Sequence, residues 1–118
     1  WPRRRGDRSH CPSLPGMKHL LDRLRSGDTV LGDGAWGTML MDRGLESGQA
    51  PELFNLTHPE IIEDIAREYL DAGAEIVTTN TFGASPPRLR QSGLEGQADA
   101  INRVAVEVAR RVAGDRAR

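Results

Sequence analysis

The residues best suited to chemistry cluster in Gly32–Leu40, which has the sequence GDGAWGTML. This stretch holds three glycines within six residues and one acidic side chain, Asp33, and it follows the apolar run Thr29–Leu31. Glycines at the end of a strand expose backbone N–H groups that can hold an anion, and the Asp33 carboxylate adds a fixed negative charge. The stretch therefore predicts a site for a small ligand that carries both an ammonium group and a carboxylate.

The same glycines have the spacing of the dinucleotide fingerprint, Gly32-x-Gly34-x-x-Gly37. That fingerprint also requires an immediate helix and an acidic residue about 20 positions later. The chain instead continues into a polar loop that begins with Asp42. The dinucleotide interpretation is therefore weak, and a glycine-rich turn capped by Asp33 remains an alternative.

Composition limits the classes of partner. The 118 residues suit one small domain, and the net charge of −1 provides no global field for nucleic acid or for an anionic membrane. No apolar run approaches the roughly 18 residues of a membrane span. The single cysteine, Cys11, cannot form an internal disulfide, which favours a reducing compartment. We expect a cytoplasmic protein with neither nucleic acid nor membrane as a partner.

Hydrophobic periodicity predicts alternating helices and strands. A capping box formed by Thr57 and Glu60 predicts the start of the central helix, and the loop over residues 42–56 is expected to pack against the rest of the domain. The predicted order is a helix over 17–26, a strand over 29–31, a helix over 58–72, a strand over 74–80, a turn or short helix over 85–93 and a helix over 97–113. Strand, helix and strand form a βαβ unit, which brings Asp33 and Asn80 to one rim.

The ends of the chain lead to two further expectations. Residues 1–16 are rich in arginine and proline, and we expect a disordered leader or an upstream segment translated in frame. His10 and Cys11 fall there, and two ligands do not make a metal site. Residues 17–118 are the expected folded part, of the α/β class. Two parallel strands cannot close a barrel, which takes about 250 residues, so the chain looks cut short.

Four motifs in order resemble the opening of the homocysteine S-methyltransferase domain family. The resemblance is closest to the methionine synthase type and to bacterial proteins that fuse this domain to a methylenetetrahydrofolate reductase. It covers roughly residues 20–114, and its motifs are DGAWGTM (33–39), PELFNL (51–56), YLDAGA (69–74) and TNTFGA (79–84). It implies that the chain holds the first two βα units of a (β/α)8 TIM barrel.

The resemblance also implies a reaction and its residues. Family members hold homocysteine as a thiolate on zinc, bound by three cysteines late in the barrel, and the thiolate attacks a methyl group. Asp33 would receive the homocysteine amino group. The backbone of the glycine loop would lie near the substrate carboxylate, and three residues of the second rim would line the pocket. The loop residues are Gly34, Ala35, Trp36, Gly37 and Thr38, and the rim residues are Asn80, Thr81 and Phe82.

The chain departs from the family in two ways. Trp36 is bulkier than the residue that family members often carry there, and no segment matches the cysteine motifs. We therefore assign no catalytic or metal-binding residue, and we expect an N-terminal fragment that is inactive alone. The methyl donor stays open, with cobalamin or folate possible through downstream domains. Two other interpretations remain: a non-catalytic βαβ binding or assembly module, and a different barrel enzyme that uses the Asp33 rim.

Overall fold

The computed structural model of the chain describes the backbone of residues 20–116 and the side chains of residues 20–114. The predicted leader over residues 1–16, with His10 and Cys11, lies outside the described residues, as does the start of the first predicted helix. The chain divides into two compact units, residues 1–30 and residues 31–118.

The described part of the first unit holds one helix, α1, at Leu20–Arg25. This confirms the described portion of the helix predicted over 17–26. The Ser26 hydroxyl donates a hydrogen bond to the Arg23 carbonyl over 2.8 Å, and Gly27 leaves the helix with a φ of 84°. A positive φ at this position suits glycine, because a side chain would clash with the backbone.

The second unit has five α-helices in its described part: α2 at Gly37–Met41, α3 at Phe54–Thr57, α4 at Pro59–Asp71, α5 at Pro86–Leu89 and α6 at Ala98–Arg116. Short 3-10 turns at Pro51–Leu53, Arg90–Ser92 and Glu95–Gln97 link them. The predictions of a helix over 58–72, of a short helix after Ser85 and of a helix over 97–113 are confirmed. No described helix is long and apolar enough to cross a membrane.

The predicted strands are not formed. Within residues 20–116 neither predicted segment forms a regular strand, and the single parallel bridge joins Gly32, just after the segment predicted over 29–31, to Ile76. The Asp33 N–H donates to the Ile76 carbonyl over 3.0 Å. Two residues after Ile76, the Thr78 N–H donates to the Asp33 side chain over 2.8 Å. A side chain thus takes the place of the next backbone partner, and the ladder ends.

This result corrects the predicted fold class. The prediction of an α/β fold, with the first two βα units of a (β/α)8 TIM barrel, is wrong, because the described chain is helical with no regular strand. β-branched residues favour extended backbone, but a strand also needs a neighbour that offers successive backbone groups. The alternative of a non-catalytic βαβ module loses its basis for the same reason.

The core lies between α4 and α6. Buried residues of α4 are Ile62, Ile65 and Ala66, and those of α6 recur every three or four positions at Ile101, Ala105, Val108 and Val112. Of these α6 residues, Val108 and Val112 form the main cluster with the α4 residues and with Leu40, Leu45 and Phe54, whereas Ile101 belongs to a second cluster. Leu45 and Phe54 come from the 42–56 loop, which confirms that this loop packs against the domain. The 3.6-residue period of each helix brings these apolar side chains to one face.

The start of α4 differs from the prediction. His58, not Thr57, is the N-cap residue, and no side chain caps the helix there. Thr57 ends α3, and its hydroxyl donates to the Leu53 carbonyl over 3.2 Å. The His58 ring packs on Phe54 with 4.7 Å between ring centroids. Thr57 cannot serve as the cap because it already belongs to the preceding helical turn.

An ionic contact joins the exposed edges of α4 and α6. The Glu63 carboxylate accepts hydrogen bonds from Arg67 over 2.7 Å and from Arg111 over 3.0 Å. The hydrogen bond from Arg67, helped by the positive charge of Arg111, lowers the pKa of Glu63 below its ordinary value even though partial burial opposes the shift. Glu63 therefore stays ionised to a lower pH in the folded chain.

Candidate functional site

A cleft of about 590 Å³ opens in the second unit at the junction of three chain segments. The first contributes the start of α2, the second the 3-10 turn before α3, and the third the extended segment after Ile76. The lining residues are Trp36, Gly37, Pro51, Glu52, Thr78, Thr79, Asn80, Thr81 and Phe82. The volume suits a small molecule rather than a macromolecule.

Asp33 holds two walls of this cleft together. Its Oδ2 atom accepts hydrogen bonds from the Trp36 indole Nε1 over 3.0 Å, from the Thr78 amide over 2.8 Å and from the Thr78 hydroxyl over 2.9 Å. Asp33 itself is not among the lining residues. Its carboxylate therefore fixes the positions of the indole and of Thr78, which do line the cleft.

Tyr69 of α4 contacts the glycine loop Gly34–Thr38. Its hydroxyl donates to the Ala35 carbonyl over 2.6 Å. A Cβ atom on Gly34 would lie 3.1 Å from the Tyr69 ring, which is closer than ordinary van der Waals contact. Gly34 therefore lets the backbone approach the ring, and Gly34 and Ala35 serve this contact instead of lining the cleft. Thr38 is exposed within α2 and also lies outside the lining.

The floor of the cleft rests on a buried amide pair. Asn80 is 5% exposed, and its Nδ2 donates to the Pro51 carbonyl over 2.9 Å and to the Asn55 Oδ1 over 3.0 Å. Asn55 is fully buried and returns a hydrogen bond from its Nδ2 to the Asn80 carbonyl over 2.8 Å. Both side-chain nitrogens and the Asn55 Oδ1 are therefore hydrogen-bonded, and the side chain of Asn80 joins two segments of the cleft.

The outer rim carries Thr81 and Phe82. The hydroxyls of Thr79 and Thr81 lie 2.7 Å apart and share a hydrogen bond. Phe82 is 95% exposed and lines both this cleft and a second, smaller one of about 270 Å³. The rim thus combines hydroxyl groups with one aromatic ring that has almost no contact with the protein.

Glu52 is the one charged residue among those that the sequence interpretation missed. It is 5% exposed, lines both clefts, and its Oε1 accepts a hydrogen bond from the Gly83 amide over 2.6 Å. A Cβ atom on Gly83 would lie 2.8 Å from Oε1, so this close approach requires glycine. One sequence feature could have indicated Glu52: it is the only acidic residue in the otherwise uncharged motif PELFNL.

The structure thus brings together some of the predicted site residues. Trp36, Gly37, Asn80, Thr81 and Phe82 share the cleft lining. Asp33, Gly34, Ala35 and Thr38 lie outside that lining. The missed residues are Pro51, Glu52, Thr78 and Thr79.

The described residues do not suit zinc. Within residues 20–116 no group of three or more His, Cys, Asp or Glu side chains lies close enough to hold a metal ion. The cleft offers one carboxylate with hydroxyls and amides, whereas zinc prefers thiolate and imidazole ligands. No chemical step through zinc is derived from these residues.

Comparison with known proteins defines the class. The sequence profile described as homocysteine S-methyltransferase matches residues 30–118, which is most of the chain. The chain therefore belongs to the homocysteine S-methyltransferase family. This confirms the resemblance drawn from the four motifs, and it leaves no support for an unrelated enzyme built on the Asp33 rim.

Individual relatives come from several branches of the family. The chain is 37% identical over 105 residues to betaine–homocysteine S-methyltransferase 1 of Xenopus laevis, covering 83% of this chain and 26% of the relative. It is 37% identical over 94 residues to methionine synthase of Mycobacterium leprae, covering 73% of this chain and 8% of the relative. It is 34% identical over 102 residues to S-methylmethionine–homocysteine S-methyltransferase of Pongo abelii, covering 85% of this chain and 27% of the relative. The chain thus spans about a quarter or less of these relatives.

Proposed function

We propose that the cleft binds homocysteine and that the domain to which it belongs transfers a methyl group to the homocysteine sulfur, forming methionine. The observation that carries the proposal is the junction of two family motifs in one cleft, with Trp36 and Gly37 on one side and Thr78–Phe82 on the other. The names of two relatives contain homocysteine as the acceptor.

The proposed reaction balances simply. Homocysteine loses its thiol proton to solvent, its sulfur forms a bond to the methyl carbon, and the bond between that carbon and the donor breaks with its electron pair going to the donor. A free thiol has a pKa of about 8.5, so most of it is neutral at pH 7 and needs activation. The residues of this chain are proposed to bind and orient the substrate, and we assign no activating step to them.

Asp33 is not a lining residue, but it is hydrogen-bonded to the lining residues Trp36 and Thr78, and it is proposed to meet the substrate amino group at that edge of the cleft. Its Oδ2 already accepts three hydrogen bonds, whereas its Oδ1 has no donor among the described residues. An ammonium group carries three donors, and a hydrogen bond between two charged groups is about twice as strong as a neutral one. Oδ1 is the atom that we propose for this contact. The loop Gly34–Thr38 is proposed to lie near the substrate carboxylate.

The methyl donor stays open within the proposal. The names of the relatives point to different donors, betaine in one and S-methylmethionine in another. Family membership therefore supports the acceptor more strongly than the donor. Zinc, cobalamin and folate are proposed only for the whole enzyme, and the cytoplasm is proposed as its location because a free thiol substrate persists in a reducing compartment.

Calorimetric titration of the 118-residue chain with L-homocysteine under a reducing agent tests the proposal. We expect binding, with an affinity about 10-fold weaker for Asp33→Asn because a charged acceptor is lost. The matched control is Asp64→Asn, since Asp64 is exposed on α4 and lies outside the cleft lining. An unaltered affinity in Asp33→Asn would remove the role of Asp33, and absence of binding by the unaltered chain would overturn the proposed function.

The expected inactivity of the isolated chain is tested with the same material. The chain spans 26% of the betaine-dependent relative and 8% of the methionine synthase relative. We propose that it binds homocysteine without methylating it. Methionine formation from homocysteine and either betaine or S-methylmethionine, followed by mass spectrometry, would contradict this part alone.

A further inference from the structure

Glu52 is a buried carboxylate without a positive partner. Its single hydrogen bond comes from the uncharged Gly83 amide. None of the ion pairs found in residues 20–116 includes Glu52. Removing a carboxylate from water costs several kcal/mol unless a positive group or several donors compensate for the lost hydration. The described residues give the Glu52 carboxylate one hydrogen-bond donor and no ion pair, and the one cation among the residues that line the two clefts, Arg88, lines only the smaller cleft.

Glu52 is also the only ionisable side chain in the described lining of the larger cleft. The other eight lining residues are neutral, and they offer hydroxyls, amides, backbone and two aromatic rings. None of the described residues that line this cleft carries a positive charge. A cleft with one negative charge and neutral surroundings favours a ligand whose enclosed end is positive.

We propose that Glu52 receives the α-ammonium group of homocysteine in the larger cleft and selects α-amino thiols over thiols without an amino group. The inference rests on the proposed function and adds a residue that determines specificity. Asp33 has at most one oxygen, Oδ1, without a hydrogen-bond donor. Two of the three N–H groups of the ammonium therefore need other acceptors. Glu52 supplies the missing charge from the lining of the cleft itself.

Gly83 keeps this carboxylate in place. The Gly83 amide holds Oε1, and the second oxygen, Oε2, has no donor among the described residues. The absence of a side chain at position 83 permits the approach, because a Cβ atom there would lie only 2.8 Å from Oε1. The hydrogen bond thus occupies one oxygen and leaves the other for a ligand.

Three thiols separate the charge role from a role in shape. L-homocysteine carries both charged groups, 4-mercaptobutanoate lacks the ammonium group, and 3-aminopropane-1-thiol lacks the carboxylate. The dissociation constant of each is measured by calorimetry with the 118-residue chain and with Glu52→Gln. Glutamine keeps an oxygen for the Gly83 amide while removing the charge. Circular dichroism confirms that the variant folds.

We expect Glu52→Gln to weaken the binding of homocysteine and of 3-aminopropane-1-thiol by about 10- to 100-fold, because a hydrogen bond to a charged group is lost. Binding of 4-mercaptobutanoate is expected not to weaken, since it has no group for Glu52 to receive. The control Glu60→Gln, at an exposed position of α4, changes none of the three affinities. Equal weakening of all three thiols, or of none, by Glu52→Gln would overturn the inference.

The unaltered chain distinguishes the two proposals. If it binds homocysteine and Glu52→Gln binds equally well, the role of Glu52 fails while the proposed function stands. If it binds no homocysteine, the proposed function fails and the inference fails with it.

A second variant covers the case in which Glu52→Gln does not fold. Gly83→Ala retains the charge but forces the Glu52 carboxylate to move. Weaker binding of homocysteine with unaltered binding of 4-mercaptobutanoate would support the inference. Equal weakening of both would overturn it.

Discussion

The two halves of the second unit are held together by different forces. The α4–α6 core buries aliphatic side chains that recur with the helical period, and its ionic contact through Glu63 lies at the edge. The cleft depends on polar side chains, namely the buried Glu52, Asn55 and Asn80 and the half-buried Asp33. Apolar packing tolerates changes of similar volume, whereas a polar network fails when one partner is lost.

This difference indicates how stability and binding divide along the chain. Substitutions in the α4–α6 core are expected to change the free energy of unfolding while the folded molecules keep their cleft. Substitutions in the polar network are expected to change both the free energy of unfolding and the shape of the cleft. The following variants test that division, from the largest expected effect to the smallest.

Ile65→Ala has the largest expected effect. Ile65 is completely buried on α4, and truncation to alanine in such a core costs about 2–5 kcal/mol of unfolding free energy. Urea denaturation followed by circular dichroism measures the loss. The affinity of the folded fraction for homocysteine is expected to stay constant. Val106→Ala is the control, because Val106 is 40% exposed on α6 and should lose about 0.5 kcal/mol or less. Equal losses in the two variants would contradict the assignment of the core.

Asn55→Ala tests the polar network. It removes both hydrogen bonds between Asn55 and Asn80 and leaves buried groups of Asn80 without partners. We expect a loss of about 2–3 kcal/mol in unfolding free energy, because unsatisfied buried polar groups retain their desolvation cost. Homocysteine affinity is expected to fall as well, in contrast to Ile65→Ala. Gln97→Ala, at an exposed position, is the control. Retained affinity in Asn55→Ala would break the proposed division between core and cleft.

Tyr69→Phe tests the link between the two regions. The variant keeps the ring beside Gly34 but loses the hydrogen bond to the Ala35 carbonyl. The bond is partly open to solvent, so we expect a loss of about 0.5–1 kcal/mol, measured by urea denaturation. A comparison with Gly34→Ala separates the hydrogen bond from the close approach. A Tyr69→Phe variant as stable as the original chain would show that the hydroxyl does not hold the loop.

Glu63→Gln has the smallest expected effect, and that effect depends on pH. The folded-state pKa of Glu63 is lowered by its hydrogen bond with Arg67 and by the positive charge of Arg111. The ion pairs therefore stabilise the fold at pH values above 4.5, the ordinary pKa of the group. That contribution is lost as the pH falls through the lowered pKa. We expect the variant to lose about 0.5 kcal/mol at pH 7, discounted because Arg111 is mostly exposed.

Thermal unfolding of Glu63→Gln at pH 7 and at pH 3 checks this sign. The difference from the original chain should shrink at the lower pH. Glu60→Gln, on the same helix and exposed, should show no such trend. A difference that grows on acidification would contradict the direction of the Glu63 pKa shift.

The helices could be predicted from sequence because their evidence is local. The stripe of Ile62, Ile65 and Ala66 has the helical period, and Gly73 follows the end of α4 with a φ of 111°. The segment Ala74–Asn80 could not be assigned correctly in this way. Its β-branched residues predict a strand, but the Asp33 side chain ends the pairing after one bridge. That contact joins positions 45 residues apart and leaves no periodic pattern.

The candidate site was predictable only in part, because some of its residues belong to local motifs whereas others depend on long-range contacts. Motif residues such as Trp36 and Asn80 are conspicuous by type and position, and both line the cleft. Glu52 lies in the 3-10 turn Pro51–Leu53, and although its motif marks it as the single acidic residue, it resembles an ordinary first-turn acid and nothing local indicates its burial. Its role depends on Gly83, which is 31 residues away along the chain. Long-range polar contacts therefore account for most of what was missed.

The most direct test of homocysteine binding in this cleft is a two-dimensional ¹H–¹⁵N NMR titration of the chain with L-homocysteine. We predict saturable shifts of the Trp36 indole N–H and of the Thr78–Gly83 amides, with little change at the α6 amides of Val104–Val112. Saturable binding whose shifts fall on α6 and spare Trp36 and Thr78–Gly83 would contradict the location of the site. No shifts at saturating homocysteine would contradict the proposed function itself.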